Sequence, residues 1–192
     1  MKSNTKKKIN LNISKNRNSR PYASSEYFMR LIWNIISPLF KYSPRHLYFW
    51  RNFLLRLLGA KIGKKVHIYP SVEILLPWKL ELGDEISIGD KVIIYNLGLI
   101  TIGDRSTISQ RVHLCGGSHD YTDQSMRLIR STIQIGSETW ICADAFIGPD
   151  LIIGDGSIVG AASVVTKNIP PWQVFGGNPA RYIKKRILKG NK

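Results

Sequence analysis

The sequence lacks the features that mark membrane-spanning and secreted proteins. It has no uncharged apolar run of about 18 residues, so no transmembrane helix is expected. No apolar core with a small-residue cleavage site follows the N-terminal charges, which argues against a secretory signal. The two cysteines, Cys115 and Cys142, give no disulfide framework. These absences predict a cytoplasmic protein.

Acidic residues are scarce in the first third of the chain. Residues 1–65 hold 15 Lys/Arg and one acid, Glu26, whereas residues 66–192 hold 13 Lys/Arg and 12 acids. Such a basic segment suits anionic partners, namely nucleic acid, lipid headgroups or acidic glycans. No nucleic-acid-binding module is recognisable, so no nucleic-acid partner is expected. Residues 1–25, rich in Lys, Asn and Ser, are predicted to be a disordered basic tail.

Residues 26–60 are predicted to form amphipathic helices. Pro38 and Pro44 are expected to divide them into helices over about 26–37 and 44–58. One interpretation is a pair of helices on a membrane surface, with Trp33, Trp50 and Phe53 in the headgroups. The alternative, which we favour, is that the helices cap the end of a repeat structure. The two interpretations are compatible, so a peripheral contact with the cytoplasmic face of a membrane stays an expectation.

An aliphatic residue recurs every six positions between residues 61 and 180, and it is often followed by Gly and Asp. The clearest segments are Ile62-Gly63, Leu82-Gly83-Asp84, Ile88-Gly89-Asp90, Ile102-Gly103-Asp104, Ile135-Gly136 and Ile153-Gly154-Asp155. A period of six is not helical, since 3.6 does not divide it and glycine disfavours helix interiors. Short strands and corners explain it, with Gly-Asp supplying a positive φ. Three such sides close a triangular coil, and stacked coils bury an aliphatic column.

The repeat has two small irregularities and one large interruption. Its register slips by two residues near Leu80 and again near Ile100. A loop at residues 115–132 interrupts it, and such excluded loops usually carry function. Beyond Pro170-Pro171, a basic C-terminal tail is predicted for residues 181–192.

His119 in this loop is the candidate catalyst, because a neutral imidazole can take a proton from a hydroxyl group. The alternative is a solvated surface histidine. Asp120 either orients the imidazole or caps a turn. A zinc site of the carbonic anhydrase kind is disfavoured, because His113 and His119 lack the ligand spacing of that family and His67 is the only other repeat histidine. Neither cysteine has a base at a recognisable spacing, and Cys142 is expected to fill space.

Residues 45–187 resemble the hexapeptide O-acetyltransferases, in particular the branch of colanic-acid-type exopolysaccharide acetyltransferases related to the maltose and galactoside enzymes. The motifs are Leu55-Arg56-Leu57-Leu58-Gly59-Ala60, Pro77-Trp78-Lys79-Leu80, Ile108-Ser109-Gln110, Ser118-His119-Asp120-Tyr121, Trp140-Ile141 and Gly177-Asn178-Pro179-Ala180. The resemblance implies an all-β fold, a left-handed parallel β-helix with a short N-terminal helical segment. It also implies a homotrimer with acetyl-CoA between neighbouring β-helices.

The resemblance further assigns roles to individual residues. His119 matches the catalytic base, and Asn96 is the nearest candidate for the catalytic-site asparagine. The residues that match cofactor contacts are Ala143, Ala161, Thr166, Lys167, Arg181 and Lys184. Lys184 stands where the sugar acetyltransferases have Arg, which keeps the charge and loses the planar fork. No metal is implied.

The sequence therefore predicts an acetyl-CoA-dependent O-acetyltransferase that acts on a sugar of a surface-polysaccharide or glycolipid precursor. Two alternatives stay open at this point. One is a small soluble acceptor, either a hydroxyl or an amino sugar. The other is a non-catalytic β-helix scaffold, which His119 and the Asn178-Pro179 motif disfavour.

Overall fold

The computed structural model describes residues 10–19 and 22–190 and shows a left-handed parallel β-helix capped by helices at its N-terminal end. The helices are α1 (Ile13–Arg17), α2 (Ser24–Lys41) and α3 (Tyr48–Leu57). No helix among the described residues is long and apolar enough to span a membrane. The predicted fold class is confirmed.

Three parallel sheets form the faces of the β-helix. The first face contains β1 (Lys61–Ile62), β4 (Leu80–Leu82), β7 (Ile100–Ile102), β12 (Ile133–Ile135) and β15 (Leu151–Ile153). The second face contains β2 (His67–Ile68), β5 (Ser87–Ile88), β8 (Thr107–Ile108), β13 (Trp140–Ile141), β16 (Ile158–Val159), β18 (Gln173–Gly176) and the antiparallel β19 (Arg181–Lys185). The third face contains β3 (Glu73–Ile74), β6 (Ile93–Tyr95), β9 (His113–Cys115), β14 (Phe146–Ile147) and β17 (Val164–Val165). A separate hairpin joins β10 (Gly117–His119) to β11 (Leu128–Arg130).

The six-residue aliphatic period is the core of this solenoid. Ile68, Ile88, Ile108 and Ile141 stack on the second face and are each 0–1% exposed. Each coil alone would leave its inward residue in water, so stacking supplies the hydrophobic stabilisation.

The length of a coil varies as the register slips predicted. Lys61 pairs with Glu81 and Glu81 with Thr101, whereas Ile133 pairs with Leu151 in a later coil. Each of the first two coils is therefore two residues longer than the later one. The extra residues lie at the corner between the third and first faces, which we call the third corner. A 3-10 turn at Pro77–Lys79 occupies it in one coil, and the hairpin leaves the solenoid from it in another.

The predicted reason for the Gly-Asp pairs is wrong. The positive φ falls one residue after the aspartate, as at Glu85 (58°) and Arg105 (55°), and not on the glycine. Glycine is needed because the next coil passes too close, and a Cβ on Gly83 would lie 2.1 Å from Asp104 Oδ1. The aspartate bonds to the preceding coil, since the amide of Asp84 donates to Asp104 Oδ1 at 2.8 Å.

The N-terminal helices cap the solenoid, as we favoured. Arg51 is fully buried in α3 and its guanidinium donates to Ile68 O at 2.7 Å and to Pro44 O at 2.9 Å. Burial lowers the pKa of this guanidinium. The Trp33 indole is 6% exposed and donates to Ile74 O at 2.8 Å, so the expectation that Trp33 lies in membrane headgroups is wrong.

Three predicted segments differ from the structure. Pro38 does not end α2, because it lies in the last turn, where the Ser37 hydroxyl donates to Asn34 O at 3.3 Å in place of the missing amide. The described part of the tail predicted to be disordered contains α1. At the other end, residues 181–185 of the predicted tail form β19.

Candidate active site

The hairpin of β10 and β11 carries His119. It leaves the solenoid between β9 and β12, and the amide of Ser131 donates to Gly116 O at 3.0 Å to close its base. His119 pairs with Leu128 across the hairpin. A Cβ on Gly117 would lie 2.6 Å from Leu97 Cδ1 and 2.9 Å from Tyr95 Cε1. Glycine at this position therefore lets the hairpin lie directly against the preceding coil.

The tip of the hairpin is built from two short turns. Asp120 Oδ1 accepts from the amide and the hydroxyl of Thr122, at 3.0 and 2.6 Å. Asp123 Oδ1 accepts in the same way from Ser125, at 2.6 and 2.7 Å. These bonds hold the pKa of both carboxyl groups below the ordinary value. Asp120 thus caps a turn, the second of its two predicted roles.

The His119 imidazole is held by a single main-chain carbonyl. Its Nδ1 lies 2.6 Å from Met126 O, and Met126 has a left-handed φ of 51°. Because a carbonyl oxygen only accepts, Nδ1 must carry a proton. In a neutral ring, Nε2 then has the lone pair. The side chain is exposed, so the lone pair is available to a substrate.

Helix α1 docks onto the same turn. The Asn12 amide donates to Gln124 O at 2.7 Å, and Asn16 Nδ2 donates to Ser125 O at 2.9 Å and to Met126 O at 2.5 Å. Met126 O therefore accepts from both Asn16 and His119. In the sequence, the N-cap residue Asn12 indicates the start of a helix but not this contact, because the bonded residues are so far apart along the chain.

A cavity of about 460 Å³ lies between α1 and the hairpin, beside the contacts that join them. Leu128, the residue opposite His119, lines it, together with the cationic side chains of Lys15, Arg127 and Arg130. Asp123 also lines the cavity, which leaves its lining with a net positive charge.

Helix α2 is also tied to the hairpin. Glu26 forms ion pairs of 3.2 Å with Arg30 and with Arg130 of β11. The Tyr22 ring lies under both guanidinium groups, with carbon-to-centroid distances of 3.9 and 4.4 Å. The N-terminal segment and the hairpin therefore form one packed unit, which sequence reasoning missed.

Asn96 lies inside the solenoid and not at the surface beside His119. It is 0% exposed, its Nδ2 donates to Leu76 O and Lys79 O at 2.7 and 2.9 Å, and its Oδ1 accepts from the Leu76 amide at 3.0 Å. Both hydrogens of the side-chain amide are thus used inside the solenoid. The side chain of Asn96 therefore supports the turn at residues 76–79, and the catalytic role that the resemblance suggests for it stays a prediction.

The residues that match cofactor contacts fall into two groups, one on β19 of the second face and at the corner between the second and third faces, the other at the third corner. Ala143 and Ala161 follow β13 and β16 in consecutive coils, where the amide of Ala162 donates to Ala143 O at 2.9 Å. Arg181 and Lys184 lie on β19, and both are exposed. Thr166 and Lys167 follow β17 at the third corner, two coils beyond the base of the hairpin. One chain does not gather these six residues into a single pocket.

The histidines of the zinc interpretation do not converge. His67 lies on the second face and stacks on Tyr48 at 4.4 Å, whereas His113 lies on the third face against Phe146 at 5.3 Å. Within residues 10–19 and 22–190, no group of three His, Cys, Asp or Glu side chains is placed to hold a metal ion. Burial raises the pKa of the Cys142 thiol, which makes it a poor nucleophile.

Known proteins resemble this chain in sequence and in fold. Residues 132–167 match the family described as bacterial transferase hexapeptide (six repeats). WcaF of Escherichia coli (strain K12), whose name describes it as a colanic acid biosynthesis acetyltransferase, is 50% identical to this chain over 159 residues. These residues cover 83% of this chain and 87% of WcaF. A galactoside acetyltransferase in complex with coenzyme A is 26% identical with a TM-score of 0.80, covering 92% of each chain. A hexapeptide-repeat acetyltransferase of Vibrio cholerae, complexed with acetyl coenzyme A, is 26% identical with a TM-score of 0.80, covering 91% of this chain and 96% of its own.

The chain belongs to the hexapeptide-repeat acetyltransferases, in the branch that contains WcaF. It is accordingly an acetyltransferase enzyme, as the sequence predicted, and not a non-catalytic scaffold.

Proposed function

We propose that this enzyme transfers an acetyl group from acetyl-CoA to a sugar hydroxyl of a surface-polysaccharide or glycolipid precursor. The observation that carries the proposal is the His119 Nδ1–Met126 O contact, which leaves Nε2 as an exposed base. The name of WcaF supports a polysaccharide acceptor of the colanic acid kind. The cavity lined by Leu128, the residue that pairs with His119 across the hairpin, offers space for a sugar.

His119 performs the proton transfers of this reaction. Nε2 takes the proton of the acceptor hydroxyl as its oxygen attacks the thioester carbonyl. The same nitrogen then returns the proton to the departing CoA thiolate as the carbon–sulfur bond breaks. A thioester is already activated, so positioning, one base and a donor to the oxyanion suffice.

We further propose that the enzyme is a homotrimer that holds acetyl-CoA in the groove between neighbouring β-helices. Ala143, Ala161, Thr166 and Lys167 would contact the pantetheine arm and the nucleotide end, and Arg181 and Lys184 the phosphates. The solved complexes of relatives with coenzyme A and acetyl coenzyme A support this ligand. The separation of the six residues into two groups on one chain fits a groove that a second subunit completes. We place the reaction on the cytoplasmic face of the membrane, where a lipid-linked precursor is available.

The proposal is tested by incubating the protein with radiolabelled acetyl-CoA and a panel of acceptors. The panel contains lipid-linked and soluble oligosaccharides, amino sugars and serine. We expect label in a sugar product, and we expect mild alkali to release that label as acetate, because an ester is alkali-labile and an amide is not. Alkali-stable label on an amino sugar, or transfer to serine alone, would refute sugar O-acetylation.

A further inference from the structure

Helix α2 is apolar on two sides, and the solenoid covers only one of them. Trp33 and Phe40 face the solenoid and are 6% and 1% exposed. Five other large apolar side chains are between 56% and 88% exposed: Phe28, Leu31, Ile35, Leu39 and Tyr42. Their spacings of three and four residues place them in one stripe along the helix. A helix that is apolar beyond its packed face has a second apolar environment.

Helix α3 extends the stripe into a wider surface. Phe49, Phe53 and Leu57 recur every four residues and are 77%, 47% and 64% exposed. The Trp50 indole joins the two helices, because it donates to Leu39 O at 3.1 Å and stacks on Phe53 with ring centroids 6.0 Å apart. An open cleft of about 330 Å³ between the helices is also lined by Leu39 and Trp50. We call the exposed residues of the two stripes the apolar platform.

The charge around the platform is predominantly positive. Between residues 24 and 65, six Lys/Arg residues are exposed, and the single acid, Glu26, has a side chain only 12% exposed. Two of the six are paired with acids of the solenoid at 2.7 Å, Lys61 with Glu81 and Lys65 with Glu85. The other four form no ion pair among the described residues: Lys41, Arg45, Arg56 and Lys64. The sequence of residues 1–20 adds seven Lys/Arg and no acid. The solenoid, by contrast, has nearly balanced charge.

We propose that the apolar platform docks on a bilayer that contains anionic phospholipid. Apolar side chains on one face of a helix, together with lysine and arginine, are the features that hold interfacial helices in the headgroup region. The docked helices lie on the surface, since none among the described residues is long and apolar enough to cross a membrane. This inference rests on the proposed function and deepens it, because it identifies the surface by which the enzyme reaches a lipid-linked acceptor.

A second copy of the chain is the competing occupant, and the charge argues against it. Two platforms packed face to face would bring four unneutralised positive charges on each partner together, which opposes association. An anionic lipid surface instead neutralises these charges. The platform is also tied to the site, since Glu26 at the start of α2 pairs with Arg130 of the hairpin. Docking would therefore hold the hairpin in a fixed relation to the membrane.

The test is co-sedimentation of the full chain with vesicles of phosphatidylcholine, either alone or mixed two to one with phosphatidylglycerol. The platform variant is the double substitution Ile35→Ser and Phe49→Ser, and its matched control is Ile187→Ser, an aliphatic residue that is 85% exposed outside the platform. A charge variant combines Lys41→Gln with Lys64→Gln. Sedimentation velocity without vesicles reports the oligomeric state, and thermal unfolding checks that each variant is folded.

We expect the wild type to bind the anionic vesicles and to be released by high salt. The platform variant should lose at least about tenfold in partition coefficient, and the charge variant about tenfold or more. The Ile187→Ser control should bind as the wild type does. The inference is overturned if the wild type stays in the supernatant, if the platform variant binds equally well, or if the platform variant changes the oligomeric state. Transfer to a soluble acceptor is measured in parallel, so that failure of vesicle binding with retained transfer rejects the platform alone.

Discussion

Asn16 offers a sharp test of how the N-terminal segment supports His119. Its side-chain amide donates to Ser125 O at 2.9 Å and to Met126 O at 2.5 Å, and the second carbonyl also accepts from the imidazole. A net hydrogen bond is worth about 1 kcal/mol, so Asn16→Ala should weaken the docking of α1 by about 2 kcal/mol. A change of this size alters the docking equilibrium about 30-fold.

The measurement is hydrogen exchange at the Asn12 amide, which α1 docking bonds to Gln124 O at 2.7 Å. We expect its protection to fall about 30-fold in Asn16→Ala and further in Asn16→Asp, because a carboxylate has no donor and faces two carbonyl oxygens. The rate of acetyl transfer should fall with it, since Met126 O loses one of its two restraints. The midpoint of solenoid unfolding should stay the same.

Asn18→Ala is the matched control, because Asn18 is exposed and closes the same helix through its main chain. This substitution should change neither the protection of the Asn12 amide nor the rate of acetyl transfer. The reasoning is refuted if Asn16→Ala leaves protection intact, or if Asn18→Ala reduces it to the same extent.

Three further predictions concern the solenoid and the hairpin. Gly136→Ala should lower the free energy of unfolding by about 1–3 kcal/mol in urea denaturation, because its Cβ would lie 2.2 Å from Asp155 Oδ1, whereas Gly190→Ala, with nothing within 4 Å, should have no effect. Asn96→Leu should cost about 2–4 kcal/mol in the same assay, since it leaves the buried carbonyls of residues 76 and 79 without their amide donor; a fully stable variant with no transfer would instead show a catalytic role. The pKa values of Asp120 and Asp123 are depressed in the folded hairpin, so the stability they add is present above the ordinary value of 3.8 and is lost as the pH falls through the folded values. The protection factors of the Thr122 and Ser125 amides, which correct for the intrinsic pH dependence of exchange, should therefore fall below about pH 4, and a fall already at pH 6 would contradict it.

The column of the solenoid was predictable because its information is local. An inward aliphatic residue recurs every six positions and is buried by the neighbouring coil. The period alone therefore predicts that Ile100 and Ile133 point inward. The two-residue slips were visible in the same pattern, since any extra residue at a corner shifts the period. The hairpin was visible as the one long interruption of the period.

Features that depend on a distant partner were not predictable in this way. The reason for glycine in the Gly-Asp pairs is the next coil and not a neighbour in sequence, so an argument from local backbone conformation assigned the positive φ to the wrong residue. The docking of Asn16 on the hairpin has no period and no neighbour in sequence to reveal it. Asn96 was named by analogy of residue type, and only its burial shows which groups its amide bonds. Trp33 suited a headgroup by composition, but the solenoid supplies a carbonyl for its indole.

The central claim is that His119, held by Met126 O, is the base for acetyl transfer. The most direct measurement compares the single-turnover transfer rates of the wild type, His119→Ala and His46→Ala, an exposed histidine between α2 and α3. Each protein is first shown to have the same oligomeric state and the same affinity for acetyl-CoA. We predict that His119→Ala loses about 10²–10⁴-fold in rate while His46→Ala is unaffected. A His119→Ala rate within a few fold of the wild type would contradict the account.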